Sequence, residues 1–508
     1  MQGIEEDQPP FAGGLLDLLL TRPAELPRLP VALLSREQKA AELQRVAALK
    51  AMTAAYEAEL VLGLADDTPD DWDPAPGTSG ARRGSWAPDP ELPGVSEFFP
   101  AELAVILNCG RRSASLLAQR SWIYRESLPG TWAALAAGAL DEARAKVLVD
   151  VLEHTDPAVA RPVEAQLLAE AAALTTHTLR KRAVAALLAV DADAVDARRK
   201  EAERRADVRA YPSPREGMST LATDLPSPVA AACHDVIDRL AQMLKADGDE
   251  RPIGQIRAAV HADLVLRPWD PSRPPVTAHL QLIATLASLA GRSAEPGEVN
   301  GLPITTGQLR ELLTQLDALG VRTPEGGSVT LALTDADGTL RATSTLDQVR
   351  RLARRGCTSH PDADRGCAVL DRPGPVDRHT PSAAQQTSVR TRDRSCRFPT
   401  CGQRVGWADA DHVIPHAHGG ATDCADLCCP CRSHHRLKTS APGWRFQMSA
   451  DGALTVTTPS GITRSTRPPG MRPPPAPDPP PPDAAGPMPP DRAEPPPPAD
   501  PDDDPPPF

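Results

Sequence analysis

The sequence predicts a multidomain, mainly α-helical chain: a long helical N-terminal domain with a few strands, then a small metal-stapled module, then a disordered proline-rich tail. Three observations carry this. Aromatic residues make up 3% of the 508 residues, so a large core must rest on Ala, Leu and Val, the residues of packed helices rather than of a β-sandwich. Cysteine and histidine cluster late in the chain, between 396 and 435. Residues 468–508 hold 21 prolines in 41 positions, a composition that cannot build a core and stays extended and solvated.

Length alone allows two or three domains. A net charge of −12 excludes a global polycation, so any nucleic-acid site has to be a local basic surface. The start, "MQGIEEDQPPFAGGLLDLLL", places acids where a secretory signal needs positive charge. No apolar run approaches the roughly 20 residues that span a bilayer. These features predict a cytoplasmic protein, and in a reducing compartment clustered Cys and His favour metal over disulfides.

Taken in order, residues 1–34 are punctuated by proline and predicted to be loosely held. At Ser35 the pattern turns helical: "SREQKAAELQRVAALKAMTAAYEAELV" offers Ser35 as N-cap and Gln38 for a capping box. Residues 65–97 interrupt with a Pro/Gly/Asp-rich loop expected to be disordered. Helices follow, among them "TTHTLRKRAVAALLAV" and "SPVAAACHDVIDRLAQMLKA". In the latter Ser227 is the expected cap, Pro228 takes the first turn, and Val229, Cys233, Val236, Leu240 and Leu244 form one stripe. Strands come later. "VTAHLQLIA" alternates, "SVTLALTDADGTLRATST" reads as a hairpin turning at Asp337-Gly338, and "GWRFQMSADGALTVTTPSG" reads as another. The resulting division is 1–34, a helical domain over 35–370, a linker over 371–389, a Cys/His module over 390–440, a hairpin extension over 441–466 and a tail over 467–508.

The module carries the chemistry. Cys396 and Cys401 in "CRFPTC" and Cys431 and His434 in "CRSHH" are two short chelating pairs separated by a loop, the way a small fold assembles a tetrahedral zinc site. Cys424, Cys428 and Cys429 are alternative ligands or packing residues. Asp411, His412 and His435 remain. A hard cation such as Mg²⁺ would use Asp411 with His435, keeping waters and phosphate oxygens as its other ligands. A neutral His412 could then take a proton from water. The competing reading makes these three residues surface polar groups beside a structural metal knuckle.

The stretch from about 389 to 440 resembles the HNH endonucleases, through "C-x-x-x-x-C", "DHVIP", "GGATD", "DL" and "CRSHHRLK". That resemblance implies a ββα-metal fold that cuts DNA. It makes Asp411 a ligand of a catalytic Mg²⁺ or Mn²⁺, His412 the general base and His435 the closing histidine. Cys396, Cys401, Cys431 and His434 match its structural-zinc pairs. Asp426 stands where the motif usually has Asn, and Pro430 where it has Leu; His416 and His418 match no role. Upstream, residues 35–370 resemble the helical domain of unknown function numbered 222, also described as the 13E12 repeat family, through "LAAGALDEARAKVLVDVL", "REGMSTLATDLP", "RPIGQIRAAVHADLVL" and "VLDRPGPVDRHTPSAAQ".

Charge fits a phosphate partner. Residues 390–447 hold nine Arg or Lys against five Asp, a balance of +4. Arg390, Arg392, Arg394, Arg397, Arg432, Arg436 and Lys438 are the expected contacts to double-stranded DNA. The sequence therefore predicts a metal-dependent DNA endonuclease. Its rivals are a zinc-stabilised DNA-binding protein with a decayed centre, and a helical scaffold.

Overall fold

The computed structural model describes residues 28–470, except 76, 79, 82–91, 191–199, 201, 205, 216, 267–281, 286, 287, 289–291, 294, 300, 301, 316–328, 336, 337, 357–366, 368 and 404–409. Expectations for 1–27, 82–91, most of "VTAHLQLIA", Asp337, Asp409 and the tail beyond 470 lie outside those residues.

The mainly helical fold class holds. Helix α1 (Arg36–Asp66) starts at the expected place, with the reciprocal hydrogen bonds of a Ser35/Gln38 capping box. Its buried residues are Ala51, Ala55, Ala58, Val61 and Ala65, spaced three and four apart so that they form one stripe. Helices α2 (Phe99–Leu107), α3 (Arg111–Glu126), α4 (Pro129–Ala136), α5 (Glu142–Leu152), α6 (Pro157–Ala171) and α7 (Thr176–Val190) follow. Ala51, Ala55 and Ala58 of α1 pack against Leu128, Leu135, Leu148, Leu152, Leu167 and Leu179 in the largest core cluster. Burying each such leucine contributes roughly 1.5–3 kcal/mol. Small residues on one helix and leucines on its neighbours replace the missing aromatics.

Part of the stretch expected to be disordered, 65–97, is ordered. Pro69 and Val95 form an antiparallel bridge, and Asp73 accepts from Ser96 Oγ at 2.7 Å and from the Glu97 amide at 2.6 Å. A single carboxylate with two donors closes the loop across its neck.

Hairpin β1–β2 (Val208–Pro212, Ser219–Thr223) leads to α8 (Ser227–Ala246) and α9 (Ile253–Leu266). Ser227 is the first helical residue rather than the cap, and Pro226 before it makes no side-chain capping bond. The expected stripe is also displaced. Helix α8 meets α9 through Ile237, Leu240 and Ala241, while Val229, Val236 and Leu244 are exposed. Beyond lie β3 (Leu282–Ile283), β4 (Gly297–Val299), β5 (Leu302–Ile304) and α10 (Thr306–Gln315), then hairpin β6–β7 (Thr330–Thr334, Leu340–Thr345) and α11 (Leu346–Arg355). No described helix is long and apolar enough to cross a membrane.

The last part of the expected linker, from residue 383, is helical. Helix α12 (Ala383–Asp393) runs across the 389/390 boundary, opened by a Ser382/Gln385 capping box. The Cys/His segment then forms β8 (Asp411–His412), antiparallel to β9 (Leu427–Cys428), and α13 (Arg432–Ser440). The expected second hairpin gains a third strand, giving β10 (Arg445–Met448), β11 (Leu454–Thr457) and β12 (Thr463–Thr466). Helix α2 packs into this end of the chain. Phe98, Ala101 and Val105 share a core with Phe398, Val413, Leu437, Leu454 and Val456. Arg464 donates to the carbonyls of Val105 (2.6 Å) and Ile106 (3.1 Å), capping the open end of α2. Helix α2 and the Cys/His segment thus share one core.

Candidate functional site

Two clusters meet on the frame of β8, β9 and α13. The first is Cys396, Cys401, Cys431 and His434, whose ligand atoms all lie within 4.8 Å of one another and can hold one metal ion. Each is placed by backbone. The Cys396 amide donates to Gln403 O at 2.7 Å and the Cys401 amide to Phe398 O at 3.1 Å, drawing the first pair into a knuckle in which Thr400 has φ +68°. Cys431 is the N-cap residue of α13, and His434 comes three residues later on the same face. His434 Nδ1 lies 3.4 Å from Cys396 Sγ and 3.2 Å from Cys431 Sγ, and its ring stacks on Phe398 at 3.9 Å. Hydrogen bonds from the Cys396 and Cys401 thiols, with His434 beside them, hold Cys431 below the ordinary thiol range, and burial keeps His434 neutral. Those are the ligand forms of Cys431 and His434. Cys396 is pushed up by its hydrogen bonds to Cys401 and Cys431, and in Cys401 the lowering by Cys396 is outweighed by the bond to Cys431 and burial, so a metal ion would displace both protons. Cys424 and Cys429 instead pack with Val389 and Leu427 in a cluster of their own.

The second cluster is Asp411, His412 and His435. Neighbours on a strand point to opposite faces, and here they do. Asp411 turns toward α13, with Oδ2 3.5 Å from His435 Nε2 and paired with the Lys438 ammonium. Burial pushes its pKa up, but the His435 hydrogen bond and the Lys438 charge outweigh this and hold it below the usual carboxylate range. His412 turns the other way and is 3% exposed. Its Nε2 lies 2.9 Å from Thr422 Oγ1, and Thr422 donates its only proton to Arg378 O at 2.5 Å. Nε2 must therefore carry the hydrogen, which leaves Nδ1 a bare acceptor. Burial depresses the His412 pKa, with His379 and His416 adding to the effect and Asp411 opposing it, so the ring is neutral near pH 7.

The loop from β8 to β9 is tied at its neck. Val413 N donates to Asp426 O at 2.7 Å and Ile414 N to Asp426 Oδ1 at 3.2 Å. A Cβ at Gly420 would sit 1.8 Å from Ile414 O, so only glycine fits. Asp426 Oδ2 is buried with no hydrogen-bond partner, and burial raises the pKa of this carboxyl.

The expected basic face is largely absent. Arg392 donates to Asp393, Cys424 O and Leu427 O. Arg397, 2% exposed, bonds Asp393, Gly452 O and Thr466 O. Arg394 pairs with Glu298, Arg436 with Glu97, and Lys438 with Asp411 and His412 O. These cations hold the fold together, because a buried carboxylate and open carbonyls need donors. Only Arg390 and Arg432 of the expected set are exposed. Asp393, fully buried, also accepts from the Cys429 amide at 2.9 Å. Asp393→Ala would strand two guanidiniums and is expected to cost about 3–5 kcal/mol in a denaturant melt. A change below about 0.5 kcal/mol, the size of an ordinary surface substitution, would show the network to be dispensable.

Sequence reasoning missed Thr422, His379 and the placement of His416. His379 stacks on His412 with centroids 5.3 Å apart, and His416 meets it edge-on at 5.6 Å. "DRHTPS" carried no spacing signal, since His379 reaches the site only through the fold.

Comparison with known proteins places most of the chain in one family. The chain matches the family described as Domain of unknown function (DUF222) over residues 40–393. It is 42% identical over 110 residues to the uncharacterized Mycobacterium tuberculosis protein Rv3776, covering 20% of this chain and 21% of that one. To Rv2100 of the same organism, also uncharacterized, it is 42% identical over 90 residues, 18% of this chain and 16% of that one. A further uncharacterized M. tuberculosis protein is 27% identical over 336 residues, 64% of this chain and 67% of the relative. The chain thus spans about a fifth of the first two relatives, and no solved structure matches it. With its model covering most of the helical region and ending on Asp393, the last residue of α12, the chain belongs to the DUF222 family.

Proposed function

We propose that the chain is a metal-dependent DNA endonuclease of HNH type, stapled by structural zinc. The observation that carries the reading is the His412 tautomer: a buried neutral imidazole pinned at Nε2, with a bare Nδ1, beside a carboxylate–histidine pair. The Cys396, Cys401, Cys431 and His434 set fits zinc, since three soft thiols and an imidazole within 4.8 Å suit a four-coordinate ion. Asp411 and His435 offer a carboxylate oxygen and an imidazole nitrogen to a hard divalent cation, Mg²⁺ or Mn²⁺, which would take the place of the Lys438 ammonium at Asp411 Oδ2. When bound, that cation supplies charge neutralisation at the phosphate and at the leaving 3′ oxygen.

The chain's own residues do the rest. His412 Nδ1 takes the proton of the attacking water, and Thr422 with Arg378 O holds the ring in the tautomer that can accept it. Ladder bonds between β8 and β9 fix the strand, and α13 sets His435 opposite Asp411. The products carry a 5′-phosphate and a 3′-hydroxyl, so nicks made by the purified full chain are expected to be resealed by DNA ligase without end repair. Nicks that ligase cannot close would contradict this route.

Asp426 fits the same scheme. Its raised pKa means that its contribution to stability is present at acid pH and is lost as pH rises through the folded-state value. Asp426→Asn keeps the acceptor for Ile414 and exchanges the ionisable oxygen for an uncharged amide nitrogen. It is expected to stabilise the protein by about 1 kcal/mol at neutral pH, less in acid, and to maintain or raise nicking. Loss of nicking with the fold intact would make the carboxylate a required ligand.

A further inference from the structure

We propose that Arg378, His379 and His416 form the rim that grips the DNA phosphate backbone over His412, in place of the arginines that the sequence suggested. This rests on the nuclease reading and extends it to the substrate contacts.

The segment before α12 is stitched to the catalytic frame. Val376 N donates to Thr422 O at 3.1 Å as an antiparallel bridge, and fully buried Gln385 donates to Gly374 O at 2.9 Å and Thr422 O at 2.8 Å. Thr422 Oγ1 returns a bond to Arg378 O. Thr422 thus ties three parts together: the His412 ring, the 376–378 backbone and the loop between β8 and β9. The backbone at Val376 and Arg378, which leads into His379, is tied to the catalytic frame.

Three imidazoles converge there from two segments, His379 from before α12 and His412 and His416 from β8 and the loop that follows it. His379 lies nearly parallel to His412, 25° between ring planes, and perpendicular to His416 at 5.5 Å. Arg378, His379 and His416 are all exposed, whereas His412 beneath them is buried. His379 and His416 border the buried His412 ring, so a phosphodiester that approaches from their side meets these side chains. Guanidinium and imidazole both present N–H donors to phosphate oxygens, and a neutral imidazole still offers one. The trio is not a metal site as arranged: among the described residues, only the Cys/His set brings three or more ligand atoms together.

The test is binding of the full chain to a short labelled DNA duplex, with Ca²⁺ replacing Mg²⁺ to hold back cleavage, alongside plasmid nicking with Mg²⁺. Combined Arg378→Gln, His379→Asn and His416→Asn is expected to weaken binding at low salt about tenfold or more. Arg378→Gln alone is expected to reduce the salt dependence by about one phosphate contact. Zinc content should stay unchanged, which separates lost contacts from lost fold. If wild type binds and nicks but the triple variant binds equally well, the rim is wrong and the nuclease reading stands. If wild type neither binds nor nicks, the nuclease reading fails and the rim with it.

Discussion

Replacing His412 by alanine is expected to lower plasmid nicking by roughly 10²–10⁴-fold, the usual contribution of a general base. Metal content and duplex binding should not change. The strand that carries it is held by backbone ladder bonds to β9, which the substitution does not touch. The zinc ligands sit on the knuckle and α13, away from the imidazole. Because the ring is buried, alanine also leaves a void, so His412→Asn is the companion variant. It keeps a polar group near Thr422 but offers no basic nitrogen, and it should be as inactive as alanine. A variant that nicks like wild type would remove His412 from the mechanism.

Replacing Cys431 or Cys396 by serine is expected to release the zinc, about one per chain, and to collapse the C-terminal end of the structure. Structural zinc in small folds is worth roughly 10–16 kcal/mol of apparent binding free energy, most of it expressed as folding. The damage should spread further than a separate module would allow. Cys396 and Cys431 share a core with Phe98, Ala101 and Val105, so the loss should loosen α2 as well. The cluster built on α1 and α3–α7 contains no zinc-site residue and should survive. Hydrogen exchange would show faster exchange across 98–107 and 396–466, with protection retained over 142–187. Reduced wild-type protein free of zinc, or a serine variant with unchanged exchange, would end this account of the cluster.

Local signals in the sequence were legible where one local rule decided the outcome. The Ser35/Gln38 box, the two late hairpins and the two chelating pairs depend on spacing of a few residues, and each stands where the pattern put it. The Ser382/Gln385 box was equally readable but lay inside a stretch taken for linker, and with it went α12. The α8 stripe failed for a different reason: periodicity gives a face but not its partner, and α9 meets Ile237 and Ala241 instead. Charge counting misled most. Arg392 and Arg397 look like a phosphate-binding run in sequence, yet both turn inward on Asp393, a preference set by a buried carboxylate that no local pattern reveals. His379 and Thr422 reach His412 from 33 positions before and ten after it in sequence, so only the fold brings them together.

The most direct measurement is conversion of supercoiled plasmid by the purified full-length chain, read on a gel, with Mg²⁺ or Mn²⁺ present or withheld and with His412→Ala run in parallel. Open-circle product is expected from wild type only when the divalent cation is present, and essentially none from the variant. Supercoiled plasmid left intact by zinc-loaded wild-type protein in both metals, or cut equally by His412→Ala, would contradict it.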